Sequence, residues 1–316
     1  MKGRSVAVAT SHAHAAARRR RRGAFRTYLP AYLFLLPNFL GVLIFIAFPV
    51  FFALYMSFQE WNGANPPHFI GLGNFQDLLA DPVFWQSVGN TFVYTLLTVP
   101  IGVAFSLGVA VLLNQSVRGL AFFRAAMFVP VVTSALAVAV IWKWIYDYDN
   151  GLINDLLSVV NLPQVPWLTA NPWPMIGLAI IGVWKSFGLT AIILLAALQG
   201  VSAAVLEAAA IDGAGAWRRF RSVTLPLIAP SMLFVTITTF INSFQVFDQI
   251  YYMTNGGPNY GTTVLNFLVF QRAFQQNRFG AASAVAYIMF AIIFVITLVQ
   301  LRVGRRFSNA ASEFDV

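Results

Sequence analysis

Six apolar runs organise the chain: Tyr28–Phe58, Ser87–Leu113, Ala121–Tyr146, Pro172–Leu198, Leu225–Tyr251 and Ala281–Val303. Each is long enough for a helix that crosses the hydrocarbon core of a bilayer, which takes roughly 20 mostly apolar residues. The first run contains Pro30, Pro37 and Pro49, any of which can bend or break a helix, and the last contains no proline. The connections after the first, third and fifth runs are rich in turn residues and aromatics: "EWNGANPPHFIGLGNFQDLLADPVFW", "DYDNGLINDLLSVVNLPQVPWLTANPWP" and "TNGGPNYGTT". Asp81 followed by Pro82 predicts an N-cap with proline at the first helical position. The tryptophans of these connections suit a membrane interface, and the same loops suit docking of an external partner.

Composition agrees with lipid as the solvent. Of 316 residues, 59% are hydrophobic and 10% charged, against about 25% charged in a soluble domain. The net charge of +9 does not read as a nucleic-acid footprint, because the positive residues flank the apolar runs and form no single basic face. The absence of cysteine removes disulfides, thiol nucleophiles and thiolate metal sites. Residues 1–27 form a basic tail, expected to be disordered, with five consecutive arginines from Arg18 to Arg22. The run that follows is far longer than the apolar stretch of a signal peptide, so it reads as a first span. His12 and His14 lie in the tail without supporting ligands, and no metal site is expected.

Charge sets the orientation. Lys2, Arg4, Arg18 to Arg22 and Arg26 precede the first run. Arg118 lies between the second and third and Arg124 at the start of the third, Arg218, Arg219 and Arg221 lie between the fourth and fifth, and Arg302, Arg305 and Arg306 at the end. These are sixteen of the twenty basic residues. The other connections hold Arg272 and Arg278, while Lys143, expected to snorkel, and Lys185 lie within runs. The positive-inside rule then places both termini in the cytoplasm. The expected architecture is an all-α membrane protein with six transmembrane helices over residues 28–303, and a short cytoplasmic tail over 304–316.

The connection over 200–226 is the most mixed part of the chain. "EAAAIDGAGAWRRFRSVTLP", Glu207 to Pro226, reads as a short helix, a turn at Gly213 and Gly215, and a second helix rich in arginine and aromatics. Glu207 and Asp212 are expected near the positive end of the first helix, and Pro226 opens the next span. A surface of alanines with one acid suits a docking knob for another protein. An amphipathic interfacial loop without a partner is equally consistent with it.

Polar residues inside the spans are costly in lipid and mark either a path or helix contacts. Thr238, Asn242, Gln245 and Gln249 fall within an arc of roughly 60° if the fifth span is one helix. A stripe of amides suits sugar hydroxyls, which donate and accept, and suits interhelical hydrogen bonds equally. Asp248 lies off this stripe, near the outer end. In the fourth span Lys185 and Ser186 occur in "VWKSFGL"; Lys185 suits an anionic group, a sugar hydroxyl, or simple pairing with a carbonyl or an acid.

The connection over 200–226 resembles the EAA loop in membrane subunits of binding-protein-dependent ABC importers. That pattern is E-A-A, three residues, G, nine residues, I-x-L-P. Here it is Glu207-Ala208-Ala209, Gly213 and Val223-Thr224-Leu225-Pro226, departing only by Val223. "FIGLGNFQDLLADPVFWQSVGNT", "VRGLAFFRAAMFVP", "GLINDLL", "VWKSFGL" and "TNGGP" resemble the carbohydrate branch, of maltose and glycerol-phosphate type, and the first of its two paired permeases. The resemblance implies the type I importer transmembrane fold in a bacterial or archaeal cytoplasmic membrane. It also implies a second permease, two ATPase subunits and an extracytoplasmic sugar-binding protein. ATP and Mg would be bound by the ATPases, since no G-x-x-x-x-G-K-[ST] pattern occurs in this chain. Glu207, Ala208, Ala209, Asp212, Gly213, Leu225 and Pro226 would couple the chain to an ATPase, and the region of Lys185 and Ser186 would line the sugar path. Two other classes fit less well. A stand-alone secondary transporter or channel lacks matched broken repeats and mid-membrane coupling acids here. A membrane enzyme would need a convergent catalytic set, yet His68 is the only histidine outside the tail.

Overall fold

The structure is a computed structural model that describes residues 30–115 and 119–312. The basic tail over 1–27, with His12 and His14, lies outside the described residues, as do Arg118 and residues 313–316. The chain divides into two units, Met1–Tyr55 and Met56–Val316.

The first unit contributes α1 (Pro30–Ser57), which runs on into the start of the second. None of its prolines breaks it. The turn Leu43–Ala47, just ahead of Pro49, is widened to a π turn, with Phe48 N–H bonded to Leu43 O. Such a turn gives a proline ring room that a tight α turn denies it.

The second unit opens with a short hairpin, β1 (Gln59–Glu60) against β2 (His68–Phe69), antiparallel with Gln59 opposite Phe69. Helix α2 (Gly73–Ala80) follows. Its buried Asn74 ties it to the hairpin, donating to Ser57 O at 2.9 Å and Gln59 O at 2.8 Å. Helix α3 (Pro82–Leu113) begins as the sequence predicts: the Asp81 side chain accepts from Val83 N–H at 2.9 Å, and Pro82 takes the first turn. The helix therefore starts ahead of the apolar run itself. One of its faces is a stripe of small and hydroxylic residues: Ser87, Thr91, Thr95, Thr98, Gly102 and Ser106. Most of these hydroxyls donate back to carbonyls one turn earlier, as from Thr91 to Ser87 O at 2.7 Å and Ser106 to Gly102 O at 2.6 Å. These hydroxyl protons are thereby satisfied within the helix itself, whereas Thr95 Oγ1 is buried with no partner among the described residues.

That stripe packs on α7 (Trp173–Gln199), the most extensive helix pair of this unit. Phe105 meets Phe187 edge to face at 5.2 Å, and Ser106 also reaches Phe187 O at 3.2 Å. Gly182 and Gly188 let neighbours come close. A Cβ at the first would collide with the Tyr94 hydroxyl and at the second with the backbone of Met127.

Two predicted spans are bent. The third is two helices, α4 (Leu120–Val132) and α5 (Ala135–Ile145), at 96° across Thr133 and Ser134. The fifth departs further from a single helix and is described with the site below. Helix α6 (Leu152–Val159) sits in the long connection that follows α5. There Asn154 holds the loop, donating to Val165 O and accepting from Val165 N–H, both at 3.0 Å. Trp167 of this connection stacks on the buried Tyr146 at 5.2 Å. The unit closes with α13 (Phe279–Ser312), which continues past the predicted end at Val303. Among the described residues four helices are long and apolar enough to cross a membrane, or up to six if each bent pair is one span.

Candidate functional site

The segment around Glu207 folds as two helices. Helix α8 (Ala203–Ile211) has Ser202 at its N-cap and no buried residue, although eight of its nine residues are apolar. Glu207 lies at its middle and Asp212 at its C-cap, which corrects the expectation that both acids stand at the N-terminal end. The reason lies at Gly213. With φ of +77° it takes the left-handed conformation that ends a helix, and it thereby places Asp212 at the negative end. Gly213 N–H bonds to Ala210 O and Ala214 N–H to Ala209 O, both at 3.0 Å, the paired bonds of a Schellman cap. Ala208 and Ala209 lie within α8, and Ala209 supplies one of that cap's acceptors. Gly215 is the N-cap of α9 (Ala216–Leu227), whose turn Phe220–Thr224 is a π turn. Ile211 and Trp217 stand exposed at 87% and 71%, so the hairpin presents apolar side chains outward. The Glu207 side chain forms no hydrogen bond or ion pair with any described residue.

Leu225 and Pro226 belong to the last turn of α9, so Pro226 does not open the next helix. The chain bends by 69° at Ile228 into α10 (Ala229–Phe244). That helix ends sooner than predicted, with Gln245 as its C-cap. A break over Gln245–Phe247 separates it from a second helical stretch, Asp248 and Gln249 leading into the π turn α11 (Ile250–Thr254). Asn266, on α12 (Leu265–Phe270), donates to Gln245 O at 2.7 Å and so covers a carbonyl that the ended helix leaves open. The single 60° arc expected for Thr238, Asn242, Gln245 and Gln249 is therefore lost, because the four residues do not share one helix.

Three of the four still meet. A cavity of about 490 Å³ lies among α3, α4, α7, α10 and the start of α11. Thr238, Asn242 and Gln249 line it together with Lys185 and Ser186. Gln245 and Asp248 are exposed and do not line it. Lys185 is half-buried and makes no hydrogen bond or ion pair with any described residue, so the carbonyl or acid partner that the sequence left open is not found there. No carboxylate lines the cavity.

Sequence reasoning did not single out Tyr94, Thr98, Thr190 or Ser243, which also line it. Tyr94 O–H donates to Gln249 Oε1 at 2.9 Å, and Thr98 and Ser243 hydroxyls are 2.9 Å apart. The hydroxyl stripe of α3 was the available signal, since Tyr94 and Thr98 lie along it. Beside the start of α3, Arg272 pairs with Asp81 and bonds Gln276 Oε1 at 2.9 Å, while Arg278 stands 3.6 Å from Asp77. The "TNGGPNYGTT" loop is stitched to α3 through Asn90, which donates to Tyr260 O at 2.7 Å and Thr263 O at 2.9 Å.

Residues 78–309 match the family described as binding-protein-dependent transport system inner membrane component. The chain is 36% identical over 282 residues to the probable ABC transporter permease protein YesP of Bacillus subtilis, covering 87% of this chain and 90% of that protein. It is 34% identical over 275 residues to the multiple sugar-binding transport system permease protein MsmF of Streptococcus mutans, covering 87% and 94%. A chain from the crystal structure of a bacterial ABC transporter involved in the import of alginate superposes with a TM-score of 0.80 at 24% identity, over 91% of this chain and 99% of that one. The apolar helices, the exposed helical hairpin after α7 and the polar cavity thus belong to a chain whose sequence matches one family over most of its length: the protein is a member of the binding-protein-dependent transport system inner membrane components, the membrane permease subunits of ABC transporters.

Proposed function

We propose that this chain is one of two permease subunits in an ATP-driven importer of saccharides, delivered by an extracytoplasmic binding protein. The observation that carries the reading is the cavity: hydroxyls, two amides and one lysine gathered among otherwise apolar helices. Polar groups at such a position are expensive unless they face a pathway. The relative whose name specifies multiple sugars supports a saccharide as cargo. In this reading α4 and α5 together form the third span, and the fifth begins at the end of α9 and continues through α10. The chain then crosses a bacterial or archaeal cytoplasmic membrane six times, with both termini inside.

The α8–α9 hairpin faces the cytoplasm and docks on one of two ATPase subunits, which bind ATP and Mg. Its exposed apolar face and unpaired Glu207 are suited to a cleft carrying a positive charge. Closure of the ATPase pair moves the hairpin, and the two-state bundle passes from inward-facing to outward-facing. A second reading, a permease for an anionic solute such as glycerol phosphate, is favoured by Lys185, which has no partner among the described residues.

Affinity purification of the tagged chain from its own membranes in mild detergent tests the assembly. A second permease and an ATPase are expected to co-purify and to be lost in Glu207→Arg. ATP-dependent uptake by the purified complex, with labelled maltose, lactose and glycerol phosphate, separates the two readings. Recovery of the chain alone, with uptake that needs no ATPase, would overturn both in favour of a secondary transporter or channel.

A further inference from the structure

We infer that Tyr94 is a positioning residue for the cavity: it holds the Gln249 amide so that the NH2 group, not the carbonyl oxygen, is presented to cargo. The inference rests on the reading of the cavity as the solute path. A buried phenol must give its proton to an acceptor or forfeit a hydrogen bond that water would have supplied. Tyr94 is buried, and the acceptor it uses is Gln249 Oε1 at 2.9 Å. That bond fixes which way the amide is turned. Gln249 Nε2 makes no hydrogen bond with any described residue, and Gln249 lines the cavity.

The surrounding hydroxyls explain why the direction matters. Ser186 donates to Gly182 O at 2.9 Å, Thr190 to Ser186 O at 3.3 Å, Thr238 to Phe234 O at 2.9 Å and Thr98 to Tyr94 O at 2.8 Å. Thr98 has one proton, so in its 2.9 Å contact with Ser243 the serine is the donor. Every one of these hydroxyl protons is therefore spent on the protein, and each oxygen offers the cavity only lone pairs. Apart from the Thr239 hydroxyl, which bonds no described residue, donors must come from nitrogen: Lys185, Asn242 and the Gln249 NH2. A saccharide hydroxyl both donates and accepts, and it needs both kinds of partner.

The break after α10 makes the arrangement fragile. Gln249 lies beyond Gln245–Phe247, so the α10 ladder does not orient it. Tyr94 reaches it from α3, and its hydroxyl has room only because position 182 on α7 is glycine.

The test is a double-mutant cycle in the complete transporter, reconstituted in proteoliposomes with its binding protein, using labelled maltose and lactose as probes. Tyr94→Phe keeps the ring and removes only the hydroxyl. Tyr94→Phe and Gln249→Ala are each expected to lower ATP-dependent uptake roughly tenfold, and the double variant to fall no further than either one. The ratio of maltose to lactose uptake should shift in the same direction in all three, which a general packing defect would not produce. Wild-type uptake by Tyr94→Phe, single losses that multiply in the double variant, or an unchanged ratio would overturn the inference and leave the permease reading standing. Absence of ATP-dependent uptake of both probes by the unsubstituted transporter would overturn the saccharide reading and this inference with it.

Discussion

At the scale of single residues, Gly213 and Gly215 make a controlled comparison. Both lie in open space, where an added Cβ meets nothing within 4 Å. They differ in backbone: Gly213 has φ of +77°, whereas Gly215 has φ of −64°, ordinary for any residue. Alanine at 213 should therefore cost about 1 kcal/mol of local stability through the left-handed conformation alone, and alanine at 215 close to nothing. Limited proteolysis of the hairpin in the purified protein checks this, with faster cleavage expected only for Gly213→Ala. The residues alone offered both glycines for the turn. The resemblance to the EAA loop pointed to Gly213, and the Schellman bonds give the physical reason.

The ion pairs of Arg272 and Arg278 belong to the scale of elements, because they tie α2 and α3 to the segment between α12 and α13. Asp81 has two tasks: it caps α3 and it pairs with Arg272, both side chains being less than 20% exposed. Removing it leaves a cap lost and a guanidinium unpaired in a shielded place, so Asp81→Ala should cost about 2–3 kcal/mol. Asp77, 70% exposed, pairs with Arg278, 50% exposed, and its replacement should stay within about 0.5 kcal/mol. Thermal unfolding of the purified complex measures both, and equal shifts would contradict the assignment. The cap was legible as Asp81-Pro82, since capping is decided by neighbours in the chain. The pairing with Arg272 was not, because it joins positions far apart in sequence. The same distinction explains the break in the fifth span. Periodicity over 225–251 is compatible with one helix, yet Asn266 from another helix supplies a donor that lets α10 end at Gln245.

For the whole molecule, orientation is the quantity to test. The absence of cysteine allows a direct measurement, since any introduced thiol is the sole reporter. Asn65→Cys and Thr169→Cys should react with a membrane-impermeant maleimide added to intact cells. Ser202→Cys, at the start of α8, should react only after the membrane is opened. The reverse pattern would place the hairpin outside and remove the basis for ATPase docking.

What the amino-acid sequence determined by itself was everything governed by short range or by composition. The apolar runs, the α3 cap, the glycine turn at 213 and the asymmetry of positive charge depend on a residue and its close neighbours, or on bulk transfer into lipid. Only the tertiary structure decided which polar residues share a cavity. Gln245 dropped out when the helix broke, Gln249 stayed because Tyr94 holds it from α3, and Lys185 from α7 lines the same cavity as Asn242 from α10. Within an apolar span a polar side chain must find either a partner or a path. That choice is made by the other helices, through contacts that no local pattern encodes.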